Sequence, residues 1–84
     1  MNAKYEPLEK YLRALPTSQQ KLTLSFESIE QVLNDQLPPS ALEEEVWWGN
    51  QKQGTTVESI AWMDAGWMVD TVDLREKWVR FVRQ

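Results

Sequence analysis

The chain closes on two β-prone runs, WMVDTVDL and KWVRFVR, joined by a turn around Arg75 and Glu76, and a hairpin is the economical reading of them. A terminal hairpin constrains everything before it, because two strands alone are marginal in water and need cover from the preceding segments. In a chain of 84 residues one modest core is available, burying roughly 60 to 65% of the surface the unfolded chain exposes. A single domain over residues 1–84 is therefore expected.

The segments ahead of the hairpin read mainly as helix. Leu8, Tyr11, Leu12 and Leu15 recur at the spacing of one helical face, with Pro7 suited to the first turn and Pro16 stopping the run, which predicts a helix over residues 5–15. After the polar TSQQ, Leu22, Leu24 and Phe26 alternate with Thr23 and Ser25 as a short strand does. Ser25 is a good N-cap for a second helix, with Glu27 in its first turn, Ile29, Val32 and Leu33 as its buried stripe, and Asn34 at its end. In LPPSALEEE, Ser40 and Glu43 have capping-box spacing and predict a helix of about two turns. Beyond the polar loop GNQKQGTT, Val57, Ile60, Ala61 and Asp64 share a helical face beside Trp62 and Ala65, and Gly66 is a natural C-cap with positive φ.

Helix, short strand, helix, helical turn, helix and hairpin is the element order of a winged-helix domain, in which the early strand joins the edge of the C-terminal hairpin. The expected fold is thus α+β and winged-helix-like, with three to four helices packed on a small antiparallel sheet. A closer resemblance lies in YEPLEKYL, LTLSFESIEQVL, LPPSA, WWGN and AWMDAGWMVDTVDL, which together span nearly the whole chain. In these stretches the sequence resembles a family of small uncharacterised bacterial proteins of the mobile gene-cassette type. Two positions depart from that pattern: Ser28 stands where a second glutamate is expected after the N-cap, and the loop before Val57 lacks a histidine. The resemblance implies a fold and no chemistry.

Composition removes most catalytic and metal-binding options. With no cysteine and no histidine, the chain has no disulfide, no thiolate nucleophile, no imidazole acid or base and none of the usual zinc ligands. Glu43, Glu44 and Glu45 are consecutive, so on a helix they fan out around the axis and do not converge on an ion. Asp70 and Asp73 stand at odd spacing on a strand and point to opposite faces, which argues against paired carboxylates. No enzyme activity and no cofactor are expected. No apolar run approaches the ~20 residues of a membrane span, and Lys4, Glu6, Glu9, Lys10 and Arg13 break up the N-terminal segment, so the expectation is a cytoplasmic protein without a signal peptide.

Two groups of residues are candidates for binding. In VWWGN an extended reading sends Trp47 and Trp48 to opposite faces, so that one fills the core and the other faces a partner, with Asn50 beside Gly49 as a turn residue. Trp62, Trp67 and Trp78 are expected to pack the core. Arg75, Lys77, Arg80 and Arg83 concentrate cations at the end of a chain whose net charge is −4. They offer either a local phosphate footprint on the wing or, more simply, charge that blunts an edge strand. The helix in the recognition position, TVESIAWMDA, carries Glu58 and Asp64 and no cation, which disfavours nucleic acid. The expected function is accordingly a non-enzymatic protein-interaction module, binding an unknown protein partner or forming a homodimer. The alternative is a winged-helix protein that contacts nucleic acid through its basic wing.

Overall fold

The computed structural model describes residues 4–50 and 57–84. Helix α1 (Glu6–Arg13) carries Pro7 in its first turn, where a missing N–H costs nothing, and basic Lys10 and Arg13 in its last. Glu9 and Arg13 pair one turn apart at 2.9 Å. Leu8 and Leu12 are buried, with Tyr5 just before the helix. Tyr11, expected on the same face, is 38% exposed, and Leu15 lies beyond the helix at the rim of the core. The buried stripe turns toward Tyr5 and away from Tyr11.

Strand β1 (Lys21–Ser25) runs directly into α2 (Phe26–Leu33), and Ser25 caps the helix as expected. Its hydroxyl accepts the Ser28 N–H at 3.0 Å. Asn34 ends α2 in the left-handed region at φ 55. The next helix corrects the capping-box expectation: α3 (Pro39–Glu43) begins one residue before Ser40, with Pro39 in its first turn and no side-chain cap. Pro39 supplies the preset φ that a capping hydroxyl would otherwise support.

The segment Glu45–Trp48 is a 3₁₀ turn and not an extended run. Helix α4 (Val57–Asp64) then leads to β2 (Trp67–Asp73) and β3 (Trp78–Arg83). Residues 51–56 of the GNQKQGTT loop lie outside the described residues. Glu58, Ser59, Ala61 and Trp62 are buried on α4 while Asp64 is exposed, so the buried face is displaced from the expected Val57, Ile60, Ala61 and Asp64 set. The wholly buried Trp62 dictates that rotation, because it is the largest side chain the helix offers the core. Gly66 turns the chain into β2 with φ +90, as expected.

Among the described residues there are four α-helices and a three-stranded antiparallel sheet of order β1-β3-β2, an α+β fold that ends in a hairpin. The early strand does join the hairpin, on the side of β3. Alternation along β3 buries Val79 and Phe81 against the helices. An aromatic column fills the space between: Phe26 stacks on Trp48 at 5.2 Å, Trp48 on Trp62 at 6.0 Å, and Trp62 meets Phe81 at 5.8 Å. The three buried indoles all have their N–H satisfied, by the Ala41 carbonyl for Trp48, by Asn50 for Trp62 and by the Leu12 carbonyl for Trp67. Such pairing is what allows so much tryptophan into so small a core.

Candidate interaction surface

The 3₁₀ turn changes what VWWGN can offer. Trp48 sits inside the aromatic column and is 2% exposed. Trp47 is half-buried beside it, 4.6 Å from Trp48 and 6.0 Å from the ring of Tyr5, and packs against the core. The residue of this segment most open to solvent is Val46, at 70%.

Asn50 acts through its side chain. Its side-chain amide faces Val69 on β2, where Nδ2 donates to the Val69 carbonyl at 3.0 Å and Oδ1 accepts the Val69 N–H at 2.9 Å. The same Oδ1 accepts the Trp62 indole N–H at 3.0 Å. One side chain therefore stands in for a peptide unit of a missing fourth strand and fixes the orientation of Trp62. Sequence reasoning expects Asn50 to serve as a turn residue, whereas the backbone there makes no turn, and nothing local to it announced a partner on β2.

Burial beside Tyr5 has an electrostatic consequence. Its phenol is pushed above the ordinary tyrosine range by desolvation first, then by the carboxylates of Glu58 and Asp35.

Trp78 departs from the core role expected of it. It lies on the same strand as Val79 and Phe81 but out of phase with them, so with Arg80 and Val82 it takes the opposite face of the sheet. The register sets Trp78 beside Ser25 and Asp73, Arg80 beside Thr23 and Thr71, and Val82 beside Lys21 and Met68. Trp78, Val82 and Met68 are half-buried, and none of them packs against the core cluster. The Arg80 guanidinium lies over the Trp78 ring at 5.8 Å. Its Nε is buried without a hydrogen bond, and the nearest carboxylate oxygen, of Asp70, is 3.6 Å away, an ion pair too long to be a hydrogen bond. The Asp70 and Asp73 carboxylates serve local roles: Asp70 pairs with Arg80, and Asp73 accepts the Arg75 and Glu76 N–H groups in the hairpin turn.

The four terminal cations are spread over separate environments. Arg75 and Lys77 are exposed in the turn, with Lys77 at φ 63. Arg80 is on the outer sheet face. Arg83 folds back, donating to the Gln19 and Pro16 carbonyls at 2.9 and 2.8 Å and stacking on Trp67 at 4.4 Å. Because β3 is the central strand, Arg80 and Arg83 are not edge-strand charges, which corrects the simpler reading of the cluster.

Compared with known proteins, residues 5–84 match the sequence model of a family described as a domain of unknown function, DUF7662. The chain belongs to that family. No curated protein and no solved structure shows a significant match to it. The DUF7662 match covers α1 through β3, so the outer sheet face and the Asn50 contact both lie inside the family domain. Among the described residues no helix is long and apolar enough to cross a membrane, and no cluster of acidic side chains is arranged to hold a metal ion.

Proposed function

We propose that the chain is a non-enzymatic protein-interaction module, a small cytoplasmic member of the bacterial gene-cassette type, and that it binds through the outer face of its sheet. The observation that carries this is the pair Trp78 and Arg80, set side by side on a sheet face that the core does not use. Tryptophan and arginine dominate binding hot spots because each offers a large, rigid contact surface together with hydrogen-bond donors. The Arg80 side chain as a whole is 39% exposed, and the Asp70 carboxylate beside it is too far for a hydrogen bond at 3.6 Å, so a partner that brings a carboxylate or carbonyl oxygen against the open part of the guanidinium gains a charge-assisted bond. Trp78, Val82 and Met68 supply the apolar surround. The partner is accordingly a protein surface with an acidic or carbonyl-presenting centre and an apolar rim.

Nucleic acid is served less well by this geometry. With Arg83 held by backbone carbonyls and Arg80 beside Asp70, Arg75 and Lys77 are left as the open cations of the wing.

The test is affinity capture with purified protein from a bacterial extract, followed by binding of the identified partner to variants. Trp78→Ala and Arg80→Ala should each weaken that complex at least about tenfold while leaving the fold intact. A partner held equally well by both variants would place the binding surface elsewhere. Binding of labelled duplex at low salt, weakening about 0.9 log units per phosphate contact as log salt rises, would favour the wing instead.

A further inference from the structure

The two edges of the sheet are treated differently. Phe26 N–H to Lys77 O and Arg83 N–H to Gln20 O, both 2.9 Å, set the phase of the β1-β3 ladder. The even-numbered residues of β1 thus bond to β3, and the backbone groups of Lys21, Thr23 and Ser25 point away from the sheet. On the opposite edge, Val69 is fully engaged by Asn50, Gln84 Nε2 reaches the Trp67 carbonyl, and a bulge at Asp70 interrupts the strand. Those are the devices by which proteins close a strand edge. On β1 the comparable features among the described residues are Gln19 Nε2 on the Lys21 carbonyl at 3.1 Å and the Lys21 charge at the start of the strand. The Thr23 N–H and C=O have no partner among the described residues.

We infer that β1 is a self-pairing edge, on which a second copy of this chain adds its own β1 antiparallel to make a continuous six-stranded sheet. The edge is complementary to itself. A two-fold axis at Thr23 sets Thr23 opposite Thr23 of the other copy as a hydrogen-bonded pair, so that each N–H meets the other carbonyl. Ser25 then faces Lys21, and the Ser25 N–H meets the Lys21 carbonyl, which has a second lone pair free beside the Gln19 contact. The side-chain rows match as well. Trp78 neighbours Ser25 and Val82 neighbours Lys21, so each Lys21 extends over the small Ser25 of the other copy toward its Trp78 ring. Threonine opposite threonine is a favourable cross-strand pair. Because the strand has 5 residues, the contact belongs to the small, transient class of interfaces. Its hydrogen bonds use the backbone of β1, so apart from the Lys21 contact with Trp78 it stands independently of the Trp78 and Arg80 reading above.

The experiment is sedimentation velocity of the full chain up to about 1 mM, together with amide hydrogen exchange. The Thr23 N–H faces away from the ladder, so Thr23→Pro removes a dimer donor while leaving every β1-β3 bond in place. Losing two hydrogen bonds, each worth roughly a factor of five, should weaken association at least about tenfold. Thr23→Lys leaves the backbone untouched and places two cations directly opposite, with the same expected loss. Thr23→Val should associate like the parent. In the parent, the Thr23 amide should become protected as concentration rises. A parent that stays monomeric throughout, or a dimer that forms equally well with Pro or Lys at this position, overturns the inference.

Discussion

Replacing Asn50 with alanine should destabilise the domain by about 2–4 kcal/mol, far more than a turn substitution usually costs. Three hydrogen bonds disappear together, two to the Val69 backbone and one from the Trp62 indole. A protein hydrogen bond is worth about 0.5–1.5 kcal/mol net, and a buried donor left without a partner costs about 1–3 kcal/mol. The Val69 groups lie on a sheet edge that water can reach once the amide is gone, so they fall at the low end. Trp62 has no such relief, since its side chain is wholly buried. Against a total of about 4–13 kcal/mol for a domain this size, the loss lowers Tm by at least about 8 °C. Urea denaturation followed by tryptophan fluorescence reads the free energy, and hydrogen exchange at the Val69 amide reads the mechanism. Asn50→Asp sharpens the test. At neutral pH it keeps both acceptor contacts but sets a carboxylate oxygen against the Val69 carbonyl. Protonation restores a donor, so the folded pKa of this carboxyl is raised and the variant should gain stability as pH falls toward the unfolded value of about 4, where the gain is complete. A loss below about 0.5 kcal/mol for Asn50→Ala, or a Val69 amide that stays protected, would refute the reasoning.

Trp62→Ala should cost roughly 3–5 kcal/mol in the same denaturation assay, because it empties the aromatic column between Trp48 and Phe81. Gly66→Ala should cost about 1 kcal/mol, all of it backbone strain, since a Cβ there meets nothing within 4 Å at φ +90; calorimetry of the pair of proteins checks it. Tyr5 contributes to the alkaline loss of stability. Its folded pKa lies above the ordinary tyrosine value, so the folded state holds the proton more tightly. The stabilisation is complete below the unfolded pKa and is lost as pH rises from there through the folded pKa. Tyr5→Phe should flatten that alkaline loss, as measured by thermal melts between about pH 9 and 11.

Local signals in the sequence were dependable where the physics is local. The Ser25 cap, the Asn34 stop, the Gly66 turn and the hairpin each depend on a few adjacent residues, and each appears where those residues place it. Apart from the Ser40 capping box, where Pro39 starts the helix one residue early, the errors arise where one distant side chain decides. Trp47 and Trp48 read as an extended pair pointing to opposite faces, yet the slot between Phe26 and Trp62 draws Trp48 inward and winds the backbone into a 3₁₀ turn. The buried face of α4 follows Trp62 in the same way. Trp78 illustrates a second limit: alternation along β3 divides its residues into two faces but does not say which one the helices cover. Composition pointed Trp78 inward, whereas Val79 and Phe81 take that side. The Asn50 contact with Val69 spans a separation that no short-range rule reaches.

Charge is partitioned in a way that bears on the choice of partner. Between Lys21 and Lys52 the chain has no Lys or Arg, and it carries Glu27, Glu30, Asp35, Glu43, Glu44 and Glu45. These residues lie on α2, α3 and the 3₁₀ turn and in the links between them, and the two shallow grooves beside α2 are lined by Glu27 and Glu30. Lys21 and Arg80 occupy neighbouring strands on the outer sheet face instead. A polyanion approaching the wing would therefore also meet the field of this acidic side, and at low salt, where phosphate binding is strongest, that repulsion has the longest reach. On the outer face Arg80 and Lys21 stand with Asp70 and Asp73, so that face is close to balanced in charge, with the acidic helices turned elsewhere. Electrostatics thus weighs against a polyanion without opposing a protein on the face that Trp78 marks on packing grounds, and the two arguments are independent, since one rests on sequence charge and the other on which side of β3 the core occupies.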